Sequence, residues 1–338
     1  MKERNQGIDY LRLTCMMMVV SMHYFGWGGV INSSETSKLN FIIASGISVF
    51  CRVAVNCFIL ITGYFISEDN SEIQMKKITI PIKKHYKKIW FYSVFIFASA
   101  CLIDKSLFSV KGLINSITPI MSNQWWFMTV FIFLLCIKPF LGKLLFQLSE
   151  KELKILLLSI AFFDIIQSTL GHNGFSERGT GVLHCTFMLI LGYGIHHLPC
   201  LKMKGKKAIF IYGSSCLLAG IIAFGEKALV HSKDAASLYY NSPLIVLASI
   251  AFMNIFLSYK LKGVWASKIS SHVLAIYLIN DHPIVREYVW EKILCCNNFY
   301  NSNFMIIHWI FCVIMFTVLG IGFDCLISKI NKLVRLKG

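Results

Sequence analysis

The feature that most constrains this chain is the recurrence of apolar runs long enough to cross a bilayer. One helical crossing needs about 20 predominantly apolar residues. Ten such runs occur, near residues 8–28, 41–66, 89–104, 119–142, 155–171, 181–198, 207–225, 243–259, 265–283 and 304–328. A backbone in hydrocarbon must satisfy its own N–H and C=O groups, so each run predicts a helix. The ninth run is the weakest, and the tenth has the clearest apolar core. The expected fold is therefore an all-α integral membrane protein, a polytopic bundle of ten transmembrane helices. The longest segments between runs, near 67–88, 226–242 and 284–303, are too short for a domain, so residues 1–338 read as one transmembrane domain without an appended soluble one. No fixed-period repeat marks an inverted-repeat transporter.

Composition agrees. Charged residues make up 15% of the 338 and hydrophobic residues 56%, against about 25% charged in a soluble domain. The net charge of +16 does not point to nucleic acid, because the basic residues lie between apolar runs and no nucleic-acid motif accompanies them. They act as topology determinants and anionic-lipid contacts. With a cytoplasmic amino terminus, 22 Lys and Arg fall on the cytoplasmic side and 8 on the other, while Arg12, Arg52 and Lys138 lie within runs. That asymmetry predicts that both termini are cytoplasmic. The 12 cysteines fall mostly inside apolar runs and form no C-x-x-C pair, so neither a zinc site nor a redox motif is expected; Cys295 and Cys296 receive no role.

The first run carries polar side chains that an anchor does not need. Asp9 and Arg12 stand at one end and His23 near the other. A charge at bilayer depth costs about 2.5–3.5 kcal/mol on insertion scales. Arg12 and His23 are close to three helical turns apart, so they share a face and are separated by roughly 16 Å along the axis. Asp9 and Arg12 are i,i+3 neighbours. This stripe is the candidate reaction centre.

With these residues in view, the chain resembles the membrane-bound acyltransferase family three, whose bacterial members O-acetylate polysaccharides and related envelope glycans. Gly7-Ile8-Asp9-Tyr10-Leu11-Arg12, ten residues, then His23 is similar to its R-x10-H first helix. Phe58–Phe65, Trp125–Met128 with Lys138-Pro139-Phe140-Leu141, Tyr240–Pro243 and Ile276–Asn280 resemble later segments in order. Two departures stand out. A Lys83-Lys84-His85-Tyr86-Lys87-Lys88 run replaces the R-x-x-R pair of the first cytoplasmic loop, keeping charge but losing the bidentate fork. Asn280, followed by Asp281 and His282, stands where many relatives have histidine.

The resemblance implies an O-acyltransferase that moves an acetyl group from cytoplasmic acetyl-CoA to a hydroxyl of an extracytoplasmic or lipid-linked glycan, in a bacterial inner membrane, with no bound cofactor and no metal. His23 would act as base or acyl acceptor. Arg12 would hold the donor and Asp9 would steady Arg12 or cap the helix. Lys84, Lys87 and Lys88 would meet either CoA phosphates or lipid headgroups. Trp125, Trp126 and Phe127 read as an interfacial belt or a sugar platform. Arg178, His184, Asp281 and His282, with Arg286 nearby, are candidate acceptor contacts. Asp164 is either functional or a partner for Arg52; Asp324 and His308 receive no role. Two rival classes remain open: a glycan transporter or flippase using Arg12, Asp164 and His23 as a polar path, and a non-catalytic envelope-assembly partner indifferent to His23.

Overall fold

The computed structural model describes residues 6–68, 73–166, 177–229, 235–259 and 263–337. Residues 167–171 of the fifth apolar run lie outside them. Among the described residues every regular element is helical: α1 (Gln6–Gly26), α2 (Lys38–Cys51), α3 (Val53–Tyr64), α4 (Met75–Ile103), α5 (Val110–Ile117), α6 (Trp126–Gln147), α7 (Glu150–Ala161), α8 (Val182–His197), α9 (Gly205–Leu229), α10 (Pro243–Ser258), α11 (Val264–Ser270), α12 (Val273–Asn280) and α13 (Met305–Lys337). π-Helical stretches at Phe162–Ile166 and Val285–Ile293 interrupt the pattern.

Six helical stretches in the described residues are long and apolar enough to cross a membrane: Lys38–Tyr64, Met75–Ile103, Trp126–Gln147, Gly205–Leu229, Ala236–Ser258 and Met305–Ile330. The 21-residue α1 carries Asp9, Arg12 and His23 and stands outside that set, and α8 is a shorter apolar helix. The ninth apolar run is divided between the short helices α11 and α12 by a turn at Ser271–His272. The basic stretch Lys83–Lys88, expected as a loop, lies within α4 instead. Its 29 residues give a rod of about 43 Å at 1.5 Å per residue, long enough to carry an apolar crossing and a basic extension.

The chain folds into two compact units, each built from three separated stretches. One comprises residues 1–11, 52–87 and 126–261. Its centre is the contact of α3 with α8, where small residues let two backbones touch. A Cβ on Gly63 would lie 1.9 Å from the Leu189 carbonyl oxygen, and one on Gly192 would lie 2.2 Å from that of Leu60. Close approach of this kind is how helices associate where lipid weakens the hydrophobic drive. Gly63→Ala should therefore force the pair apart and destabilise the protein by about 1–3 kcal/mol. Thermal unfolding in detergent checks this, and an unchanged midpoint would contradict the packing. Asn254 of α10 closes the α8–α9 connection, donating to Leu201 O (3.0 Å) and accepting from Met203 N (3.0 Å). Ser149 and Glu152 form a reciprocal capping box at the start of α7.

The second unit comprises residues 12–51, 88–125 and 262–338. Here α12 packs on α13 over Gly320, where a Cβ would lie 2.9 Å from the Ile276 Cα. That contact fixes both ends of α12, and both ends carry polar side chains.

Candidate active site

The last turn of α1 brings His23 to the carboxyl end of α12. His23 Nδ1 is hydrogen-bonded to Asn280 Oδ1, and Asn280 Nδ2 donates to Ile276 O. The second bond fixes the amide orientation, so the oxygen faces the imidazole and Nδ1 must carry the proton. The neutral ring then presents its lone pair at Nε2. Asp281 Oδ1 lies 3.5 Å from that Nε2 and accepts Arg286 Nε at 2.8 Å. The Arg286 guanidinium lies over the Trp27 ring, 4.7 Å from its centroid. Asn280 is fully buried and the Asp281 side chain is 3% exposed, whereas that of His23 is 16% exposed. The imidazole is thus the accessible member of a fixed group. A base of set tautomer, beside a carboxylate able to stabilise its protonated form, can accept a hydroxyl proton.

The α12 terminus builds this geometry locally. Asp281 N–H donates to Tyr277 O (3.0 Å), and Arg286 N–H donates to His282 O (2.9 Å) as the π-helical stretch begins, returning the arginine to Asp281. His282 is buried, accepts Ile284 N–H at Nδ1 (3.2 Å) and meets the edge of Trp125, 5.5 Å between centroids. Trp125 is also buried (1% exposed). His282 was expected at an acceptor surface and Trp125 in an interfacial belt or a sugar platform; both are instead buried against each other. On the far side of α1, Tyr24 OH meets His308 Nδ1 at 2.9 Å and Phe299 stacks on His308 at 3.8 Å. Tyr300 OH donates to Gly28 O (2.9 Å), and burial pushes its phenol above the usual range.

A second polar group occupies the opposite end of α12, about 12 Å away by helical rise. Asp324 Oδ2 receives Lys88 Nζ at 2.7 Å and His272 Nδ1 at 2.5 Å, while Oδ1 accepts Tyr92 OH at 2.9 Å. Asp324 is buried and Lys88 half-buried; Lys84 and Lys87 are exposed on α4. Lys88 is therefore paired with a carboxylate, which the sequence did not suggest. Asp324→Ala and Lys88→Met should each lower the thermal midpoint, with the double variant recovering a coupling of about 0.5–3 kcal/mol. A double-mutant cycle in detergent measures it, and additive losses would mean the pair carries no coupling.

The other unit holds its own buried network. His184 Nδ1 meets Asp164 Oδ2 at 2.7 Å and Nε2 meets Asn56 Oδ1 at 3.0 Å; all three residues are fully buried. Asn56 Nδ2 donates to Tyr240 O (2.8 Å) and Asn241 Nδ2 to Asp164 O (2.9 Å). His184 was expected to touch an acceptor, but it is buried with both ring nitrogens occupied inside this network. Arg178 is exposed, as part of a turn in which Glu177, Arg178 and Gly179 have φ of 46°, 61° and 84°. The left-handed conformation costs a non-glycine residue about 1–2 kcal/mol. Only glycine fits the third position without a clash, since a Cβ there would lie 2.5 Å from Asn241 N.

Of the remaining sequence candidates, Asp9 is fully buried and Arg12 partly so, one turn apart near the start of α1; Trp126 is partly exposed beside Tyr240. Asn280, Asn56 and Asn241 were not singled out as site residues. Asn280 and Asn241 had a signal, because they lie in the Ile276–Asn280 and Tyr240–Pro243 segments; Asn56 is an ordinary amide in sequence.

The described residues, helical in every regular element and with six apolar helices of membrane length, define a multi-pass membrane protein, in which the accessible histidine held by a buried amide is the candidate centre. Residues 5–325 match the family model of acyltransferase family 3, described as an acyltransferase domain, and the chain belongs to that family. It is accordingly an acyltransferase. No curated protein and no solved structure matches the chain.

Proposed function

We propose that this acyltransferase takes an acetyl group from cytoplasmic acetyl-CoA and places it on a hydroxyl of an extracytoplasmic or lipid-linked glycan. In this reading ten segments cross a bacterial inner membrane and both termini are cytoplasmic. The observation that carries the proposal is the fixed tautomer of His23, whose Nε2 lone pair is accessible beside Asp281. His23 takes the proton of the acceptor hydroxyl as its oxygen attacks the thioester carbonyl. Collapse of the tetrahedral adduct breaks the C–S bond, and the imidazolium returns the proton to the departing CoA thiolate. Asp281 favours the imidazolium electrostatically, with Arg286 holding the carboxylate in place. Arg12, on the same helix face, orients the donor, and Asp9 supports it. Lys84 and Lys87 attract the CoA phosphates. Trp126 and Arg178 serve the acceptor.

The test uses membrane vesicles containing the wild-type protein, supplied with radiolabelled acetyl-CoA. Alkali-labile label should appear in the glycan or lipid-linked fraction. Its absence with every envelope acceptor tried would refute acetyl transfer and favour a transport role.

A further inference from the structure

The unit containing α3, α8 and α10 carries a cationic–aromatic patch that takes no part in the proton transfer at His23. Tyr239 and Tyr240, in the turn before α10, each lie under a guanidinium: Arg178 is 5.3 Å from the Tyr239 centroid and Arg52 is 5.9 Å from that of Tyr240. The Trp126 ring lies 6.1 Å from Tyr240, tilted by 30°.

The backbone under these rings is held from several directions. Asn56 grips Tyr240 O, Arg178 O accepts Tyr240 N–H at 3.2 Å, and Asn241 is tied to the backbone of Asp164. The strained Glu177–Gly179 turn delivers Arg178 to Tyr239. Backbone strain of this kind persists only where its surroundings over-determine it. Arg52 interrupts an apolar stretch, and its buried Nε makes no hydrogen bond to the described residues. A buried guanidinium donor without an acceptor is unfavourable, and an oxyanion would satisfy it with charge-assisted bonds. Stacking engages the face of a guanidinium and not its N–H edge, which in Arg52 includes the Nε without an acceptor.

We propose that Arg52 and Arg178, carried on Tyr240 and Tyr239, bind an anionic group of the acceptor. The acceptor is then an acidic or phosphate-bearing glycan, and the recognised chemistry is a sugar phosphate or a sugar carboxylate. The inference rests on the glycan O-acyltransferase reading, but its test does not require catalysis.

The full chain in nanodiscs of zwitterionic lipid is titrated with glucose 1-phosphate, with methyl glucuronide and with neutral methyl glucoside, by calorimetry. At least one anion should bind tenfold or more tighter than methyl glucoside, and whichever does so identifies the group. Arg178→Gln should bring its affinity to the neutral level, and Arg52→Gln should do the same. Arg52→Lys, which keeps the charge without the fork, should give an intermediate value and controls for folding of the deeper variant. Equal binding of the neutral sugar, or unchanged anion binding in Arg178→Gln, would overturn the site. Acyl transfer is followed in the same preparations. Transfer without arginine-dependent anion binding removes this inference alone, whereas such binding without transfer keeps the site and removes the acetylation reading.

Discussion

His23→Ala should abolish acyl transfer, lowering label incorporation from acetyl-CoA by about 10²–10⁴-fold, the range associated with loss of a positioned acid–base group. The protein should remain folded and abundant, because His23 is partly exposed and its removal leaves a single acceptor, Asn280 Oδ1, to be met by water entering from the exposed side. Asn280→Ala should give a smaller loss. The imidazole stays, but the bond that fixes its tautomer goes, worth about 0.5–1.5 kcal/mol, or roughly two- to tenfold in rate. The graded pair separates chemistry from architecture. Transfer that survives His23→Ala at matched abundance would remove His23 from the reaction while leaving the family assignment intact. A larger loss for Asn280→Ala than for His23→Ala would instead make Asn280 the central group.

His184→Ala should act on stability, and severely. Asn56 Nδ2 is spent on Tyr240 O, so Asn56 Oδ1 faces His184 Nε2 and requires a proton there. The 2.7 Å contact of Nδ1 with Asp164 needs a second proton between the two groups. The pair is thus net neutral, whichever partner holds that proton. Deleting the ring leaves Asp164 Oδ2 and the Asn56 amide oxygen buried without a partner, and breaking a buried pair costs about 3–5 kcal/mol. Against a typical total of about 5–15 kcal/mol, little folded protein should survive extraction. Asp164→Asn is the informative companion. An amide N–H donates to the Nδ1 lone pair of a neutral imidazole, so both ring nitrogens stay satisfied and the thermal midpoint should stay near wild type. Asp164→Ala leaves Nδ1 unpaired and should lose stability. An Asp164→Asn variant as damaged as Asp164→Ala would show that the mobile proton, not the geometry, is what matters there.

The class of fold was legible in sequence because apolar run length and helical period are local properties. Ten runs announced an all-helical membrane chain, and eleven-residue spacing placed Arg12 and His23 on one face of α1 without reference to any other helix. The resemblance carried by Ile8–Arg12 and His23 likewise needed only order along the chain. Tertiary structure alone decided what each polar side chain faces. His23 and Asn280 are 257 residues apart, and Lys88 and Asp324 are 236 apart. No local period encodes which helices cross or at what depth. The same limitation turned His184 from a candidate acceptor contact into a buried strut, and placed Trp125, read as an interfacial ring or a sugar platform, in a buried contact with His282. A buried hydrogen bond is set by the meeting of two surfaces. The sequence displays each surface separately, and only the packing of glycine-lined helices such as α3 and α8 brings them into register.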